Sequence, residues 1–389
     1  MGSCLDIRFW AMVALTAVVL RVLPVRRTIG FGLWNLLGLT ILGGWQFALS
    51  AFVVTCLYWS LLRLSQSTSL AKVGAVAAIV VPVGVFIVSK IGADWTIAQT
   101  WLNDHPQALV LHRILINLAY SYVFLRMIEL AHCVIWKEVP LVDPLSIAGY
   151  LFPFHMIQAG PVNRYEEHVK MNDAAVSRDS WLVTLTGMDQ VATGLIYKYV
   201  FAEYLRIACF GVDGRLASTA WIDTAVLIIY LFFDFAGYSR IMLGAGIWMG
   251  VPTPVNFKSP FAAATITDFF TRWHMSLGAF IQRNIYMPLQ MTLVRRWGIR
   301  RALWAGLAAL LPAWAFVGLW HRFSLSCLVY GLTFAAVVAL DKLIRDRVLR
   351  QSWSQSVAAT WTARLLGPVY VFLVVTTMLH VVISEMMPA

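Results

Sequence analysis

The chain has 389 residues, of which 60% are hydrophobic and 13% charged, with a mean hydropathy of +0.74. Soluble domains carry roughly 25% charged residues, so a soluble globular chain is excluded. The apolar stretches are continuous rather than alternating, which excludes a membrane β-barrel. The net charge of +11 reads as membrane topology rather than nucleic-acid binding, because Lys and Arg gather in loops and are not interleaved with an aromatic platform.

A helix crossing the hydrocarbon needs about 20 apolar residues. In chain order, such stretches run approximately over 9–24, 30–45, 46–63, 71–90, 108–135, 181–201, 217–249, 302–320, 324–341 and 365–385. They predict an all-α, polytopic transmembrane chain of about ten to eleven spans, with re-entrant or interfacial helices between them. It is read as a single integral membrane domain over 1–389, without internal repeat. The first stretch is read as a retained helix, since no small-residue cleavage site follows it. Met1-Gly2-Ser3-Cys4 lacks the Ser or Thr of a myristoylation motif, Asp6 standing in its place. The cysteines (Cys4, Cys56, Cys133, Cys209, Cys327) have no CxxC spacing, so buried thiols are expected, with neither a disulfide framework nor a metal site.

Arg21, Arg26 and Arg27 follow the first stretch, Arg63 and Lys72 flank a later loop, and Lys137 follows the fifth. The loop from Gly92 to Pro106 carries Asp94, Asp104 and His105 with no Lys or Arg. The alternation places the N-terminus outside and the Arg21 loop in the cytoplasm. Segment 144–163 holds Pro144, Gly149, Pro153, Gly160 and Pro161. Such a density of helix breakers predicts a re-entrant element lining an interior funnel, where protein or water satisfies the released backbone groups. From Asn256 to Arg301 there are seven Lys or Arg residues and one acid, Asp268. This segment is expected on the cytoplasmic side, either as an interfacial amphipathic helix or as a wall receiving a phosphate-bearing donor. The next hairpin turns at His321-Arg322-Phe323, which puts His321 at its far end.

An imidazole at the end of an apolar helix marks a candidate site. Two histidines stand out, His274 and His321. Asp234 lies in an apolar run, with Tyr238 four residues on along the same helical face; a hydrogen-bonded pair is expected. Asp268 and Arg272 have the spacing of an intrahelical ion pair. His112, His132, His155 and His380 read as core residues, His105 and His168 as loop residues.

Five fragments follow in one order: Phe232-Phe233-Asp234-Phe235-Ala236-Gly237-Tyr238-Ser239, Asn256-Phe257-Lys258-Ser259-Pro260-Phe261, Asp268-Phe269-Phe270-Thr271-Arg272-Trp273-His274-Met275-Ser276-Leu277, Tyr286-Met287-Pro288-Leu289 and Gly318-Leu319-Trp320-His321. Upstream stands Gln158-Ala159-Gly160-Pro161-Val162-Asn163-Arg164-Tyr165. Together, over about 151–322, they resemble the membrane-bound O-acyltransferases, in particular the bacterial branch that modifies alginate by O-acetylation and teichoic acids by D-alanyl transfer. Phe270, Arg240, Asn284 and Arg322 depart from the branch's usual residues; the two histidines do not.

The resemblance implies helices around a central funnel, in a multi-pass protein of the bacterial inner membrane. It implies catalysis by His321, with His274 as second histidine, orienting the donor or holding the segment together. Arg272, Arg283, Trp273, Asp268, Tyr286, Asp234 and Tyr238 are the candidate substrate- and donor-binding residues. No bound cofactor or metal is expected. The implied donor is a cytoplasmic thioester, acetyl-CoA or alternatively an acyl carrier protein. The implied acceptor is the hydroxyl of an extracytoplasmic polysaccharide, reached directly or through a periplasmic or membrane partner protein. The rival readings are carrier-dependent D-alanyl transfer and a transporter or flippase, although a transporter often shows two related halves and none is visible.

Overall fold

The computed structural model describes residues 4–22, 26–94, 120–172, 180–210, 220–348 and 357–386. Every regular element among the described residues is helical. The helices are α1 (Ile7–Val22), α2 (Arg27–Gly43), α3 (Trp45–Leu64), α4 (Ala71–Asp94), α5 (Tyr120–Ile135), α6 (Pro144–Leu151), α7 (Tyr165–Lys170), α8 (Ser180–Ile196), α9 (Ala202–Phe210) and α10 (Trp221–Met249). Then follow α11 (Ile266–Arg272), α12 (Met275–Ile281), α13 (Met287–Trp297), α14 (Ala302–His321), α15 (Leu325–Val348) and α16 (Val357–Met386). Trp45–Leu64, Ala71–Lys90, Trp221–Met249, Ile299–His321 and Leu325–Ile344 are long and apolar enough to cross a membrane. Most of the acidic loop after Asp94, together with His105, His112 and the start of the fifth expected span, lies outside the described residues.

The chain forms two compact units, one of residues 1–194 with 238–254 and one of 195–237 with 255–389. In the first, α6 opens on a capped turn: the Asp143 carboxylate accepts from the Ser146 amide at 2.9 Å, and Pro144 stands where no helical donor is needed. After Leu151 the helix breaks, as the Pro and Gly residues require. The released backbone groups do find partners. Asn35 on α2 donates to the Phe152 carbonyl (3.0 Å) and accepts from the Phe154 amide (2.7 Å). Arg126 on α5 is fully buried and donates to the carbonyls of Leu151, Met156 and Pro161 and to the Asn163 side chain, at 3.0–3.3 Å. The segment that follows α6 is thus held by side chains of two helices, as backbone away from water must be.

His168 departs from its sequence reading. Far from lying in a loop, it is buried on α7 with Nε2 against the Ser146 carbonyl at 2.9 Å, and burial lowers its pKa to about 4. A two-turn helix too short to show periodicity hid it.

The second unit is built on the α14–α15 hairpin. Its core gathers Ile266 and Phe269 of α11, Leu310 of α14, Phe334 and Val338 of α15, and Val371 and Val375 of α16. Helices α14 and α15 approach where Gly318 faces the Cys327 carbonyl and Gly331 faces the Trp314 carbonyl. A Cβ on either glycine would sit at 2.0 or 2.2 Å from those oxygens. The glycine of Gly318-Leu319-Trp320-His321 therefore sets the packing that fixes where the helix ends and where His321 stands.

Candidate active site

The basic-aromatic segment of the second unit is anchored from both ends. Thr265 caps α11 by accepting from the Asp268 amide at 3.1 Å. From α15, the buried carboxylate of Asp341 accepts from the Thr267 amide (3.2 Å) and hydroxyl (2.6 Å). Negative charge at a helix N-terminus is favourable. Downstream, the Lys258 amide donates to the Arg272 carbonyl and the Met275 amide to the Asn256 carbonyl. The stretch at Asn256–Lys258 is thereby fastened along the turn between α11 and α12.

His274 is that turn. It adopts a left-handed backbone (φ 48°, ψ 51°) as the residue before α12, a conformation uncommon outside glycine. Its ring is buried, edge-on to Phe235 (centroids 4.8 Å apart) and to Trp320 (6.4 Å). Asn256 Oδ1 takes three donors: the Ser276 amide (3.2 Å), the Ser276 hydroxyl (2.8 Å) and His274 Nδ1 (3.2 Å). An amide oxygen can only accept, so Nδ1 carries the proton and Nε2 carries the lone pair. Nε2 is buried and has no protein partner. Burial, and then the nearby charge of His321, lower the His274 pKa to about 3. The ring is neutral at any physiological pH.

His321 ends α14, exposed, with its ring 4.9 Å from that of Trp320. Trp320 thus touches both histidines, which stand 47 residues apart (321 − 274) in the chain. A neutral imidazole can take a hydroxyl proton, and buried fixed dipoles can stabilise the charge that develops as an acyl group is attacked.

The other candidates divide. Arg272 and Asp268 form the expected ion pair, Nε to Oδ1 at 2.8 Å, each about one-third exposed. Trp273 stacks on Phe269 (5.4 Å, 21°) and belongs to the aromatic wall with Phe257 and Phe261. Arg283 lies in a wide π-turn, Gln282–Tyr286, between α12 and α13. Tyr286 accepts from Lys342 Nζ (3.4 Å), which also lies over its ring. The expected pairing of Asp234 with Tyr238 is not made. Asp234 binds Lys198, from a second π-turn at Tyr197–Phe201, and the Tyr238 hydroxyl accepts from the Ala159 amide at 3.4 Å in the first unit. The partly exposed Asp234 carboxylate takes a cation over a phenol, because charge-assisted bonds are the stronger. Asn256, Asp341, Lys342 and Trp320 enter the site only through the structure. Asn256 and Trp320 were visible only as members of their fragments.

The sequence profile of the membrane-bound O-acyltransferase family (MBOAT) matches residues 78–380. The chain is 24% identical over 336 residues to a teichoic acid D-alanyltransferase of Bacillus subtilis, covering 82% of this chain and 81% of that protein. It is 26% identical to a probable alginate O-acetylase of Pseudomonas fluorescens over 61% of this chain and 47% of that one. It is also 26% identical to a peptidoglycan O-acetyltransferase of Helicobacter pylori, over 51% of this chain and 37% of that protein. The chain thus spans about four-fifths of the first relative and half or less of the other two. With the ordered fragments, the helical fold and a family match over most of its length, the chain belongs to the membrane-bound O-acyltransferase family.

Proposed function

We propose that the protein transfers an acyl group, acetyl in the first instance, from acetyl-CoA on the cytoplasmic side to a hydroxyl of an extracytoplasmic polysaccharide or of a partner protein that completes the transfer. The protein is a multi-pass one of the bacterial inner membrane in this reading. The observation that carries it is the pair of imidazoles gathered on Trp320, one of them with a fixed tautomer and a buried lone pair. His321 is the general base. It takes the acceptor's proton as the hydroxyl oxygen attacks the thioester carbonyl. The C–O bond forms, the C–S bond breaks, and the proton passes to the departing thiolate. Neutral His274 orients the acyl donor, and Arg272 and Arg283 meet its phosphates.

A second reading keeps the chemistry and changes the donor. In it the acyl group is D-alanyl, as in the name of the D-alanyltransferase relative, and the donor is an acyl carrier protein, whose acidic surface would suit the same basic segment.

Both are tested with the purified protein in nanodiscs. Acetyl-CoA and an acylated carrier protein are titrated separately against a soluble glycan acceptor. His321→Ala is expected to lose about 10²–10⁴-fold in rate while remaining monodisperse. Arg272→Ala or Arg283→Ala is expected to raise the KM for the donor and to leave kcat nearly unchanged. Full activity in His321→Ala removes that residue from the mechanism. An unchanged KM in both arginine variants makes the basic segment a membrane anchor. Saturation by the carrier protein and not by acetyl-CoA selects the second reading.

A further inference from the structure

In the second unit, three side chains from neighbouring elements meet with hydrogen-bond donors to spare. Lys342, near the end of α15, is half-buried. Its ammonium donates to the Tyr286 hydroxyl at 3.4 Å and lies 5.3 Å from the centre of that ring. Among the described residues it has no other partner and no carboxylate. Asp341, its neighbour in the chain, turns its carboxylate to Thr267 instead. A half-buried cation without an acid is costly, because the charge has lost part of its water and gained no counter-charge.

Two more donors stand beside it. The Tyr286 oxygen accepts from Lys342, so the hydroxyl keeps its own proton, and no acceptor among the described residues takes it. Gln290 lies one turn into α13 and is half-buried. Among the described residues its side chain makes no hydrogen bond, and its amide is open to water. Both residues face Gly306 of α14. A Cβ there would lie 3.0 Å from the Tyr286 oxygen and 3.1 Å from Gln290 Nε2. The glycine thereby keeps open the gap that the hydroxyl and the amide share. The surroundings are positive. Helix α13 ends in Arg295 and Arg296, and Arg300 and Arg301 lead into α14. All four are exposed, and none is paired with an acid among the described residues. Together they raise the local concentration of anions.

We propose that Lys342, Tyr286 and Gln290 form a phosphoryl-binding subsite. Donors left without acceptors call for an anion, and a tetrahedral phosphoryl group can accept from several at once through charge-assisted bonds. A carboxylate offers only two oxygens in one plane, and a neutral sugar would leave the ammonium without a counter-charge. Two sources supply this chemistry at a membrane face. One is a phosphate of the thioester donor, which rests on the transfer reading above. The other is the headgroup of an anionic phospholipid.

The test uses the full-length protein in a phosphate-free maltoside detergent. Acetyl-CoA is titrated beside acetyl-pantetheine, which carries the same thioester and no phosphate. Phosphatidylglycerol is added separately, and the lipid retained is counted by native mass spectrometry. Lys342→Gln and Gln290→Leu should each weaken acetyl-CoA binding by about tenfold or more, as loss of a hydrogen bond to a charged group implies. Neither should change the affinity for acetyl-pantetheine, which also reports that the variants are folded. That result assigns the phosphate to the donor. Retention of one phosphatidylglycerol by the unaltered protein and its loss in both variants, with acetyl-CoA unaffected, assigns it to the lipid. No response of either ligand to either variant overturns the proposal, as does an equal loss of acetyl-CoA and acetyl-pantetheine. If phosphate-dependent binding is found and no acyl group is ever transferred, the subsite stands and the transfer reading fails.

Discussion

At the scale of single residues, the site is specified by which hydrogen each polar atom owns. His274 would be ambiguous as a lone ring, since either nitrogen could carry the proton. Asn256 removes the ambiguity because its one oxygen, which already accepts two hydrogen bonds from Ser276, can only accept a third, so Nδ1 must donate it. Asn256 is a positioning residue. Asn256→Ala would strand the buried Ser276 donors, at about 1–3 kcal/mol, and leave the His274 tautomer unset. Asn256→Asp would keep an acceptor at the same place. The expected outcome is a lowered kcat in the alanine variant with donor KM little changed, and substantial recovery in the aspartate variant. A loss of stability alone, with kcat unaffected in the protein that remains folded, would show that Asn256 only holds the turn together.

At the scale of elements, the sequence announced what depends on composition and withheld what depends on neighbours. The runs expected over 9–24, 30–45, 46–63, 71–90, 217–249 and 302–320 became helices within about four residues of those ends, whereas the helices that took up 181–201, 324–341 and 365–385 run seven to nine residues past one expected end and the start of 108–135 lies outside the described residues; the Pro and Gly cluster of 144–163 broke the chain after Leu151. Asp268 and Arg272 paired because both partners lie on one helix. The two π-turns, at Tyr197–Phe201 and Gln282–Tyr286, could not be read, because nothing in local periodicity distinguishes a helix widened by one residue. Arg126 was hidden for the same reason: its partners lie 25 to 37 residues away. Gly318 is legible in hindsight through contact rather than pattern. Gly318→Ala would drive a methyl group into the Cys327 carbonyl and push α14 from α15. Overpacking of this kind costs about 1–3 kcal/mol. Because Trp320 and His321 ride on the displaced end, kcat should fall as well as the thermal midpoint, whereas Gly278→Ala, where a Cβ meets nothing closer than 3.7 Å, should move neither through packing. Equal behaviour of the two variants in a thermal-shift and turnover comparison would dissociate the hairpin contact from the position of His321.

At the scale of the whole molecule, charge decides which way the chain faces. Arg21, in the last turn of α1, and Arg27, the first residue of α2, reach the end of α10: Arg21 donates to the Trp248 carbonyl and Arg27 to the Gly250 carbonyl, both at 3.0 Å. Cations there satisfy carbonyls left over at a helix C-terminus and meet its negative end. The end of α10 therefore shares a side with the arginine turn. The chain leaves Gly250 for the basic segment, whose helix α13 ends in Arg295 and Arg296 and exposes Met287, Leu289, Met291 and Trp297, the pattern of a helix lying at a lipid surface. Positive charge is retained in the cytoplasm, and on that bias we propose the cytoplasmic side for the arginine turn, Gly250 and α13, and the other side for the end of α4 at Asp94. In a background freed of its native cysteines, Asp94→Cys should react with a membrane-impermeant maleimide added to intact cells, and Arg296→Cys should react only after the membrane is opened. The reverse pattern would invert the orientation, and with it the assignment of donor and acceptor to the two faces.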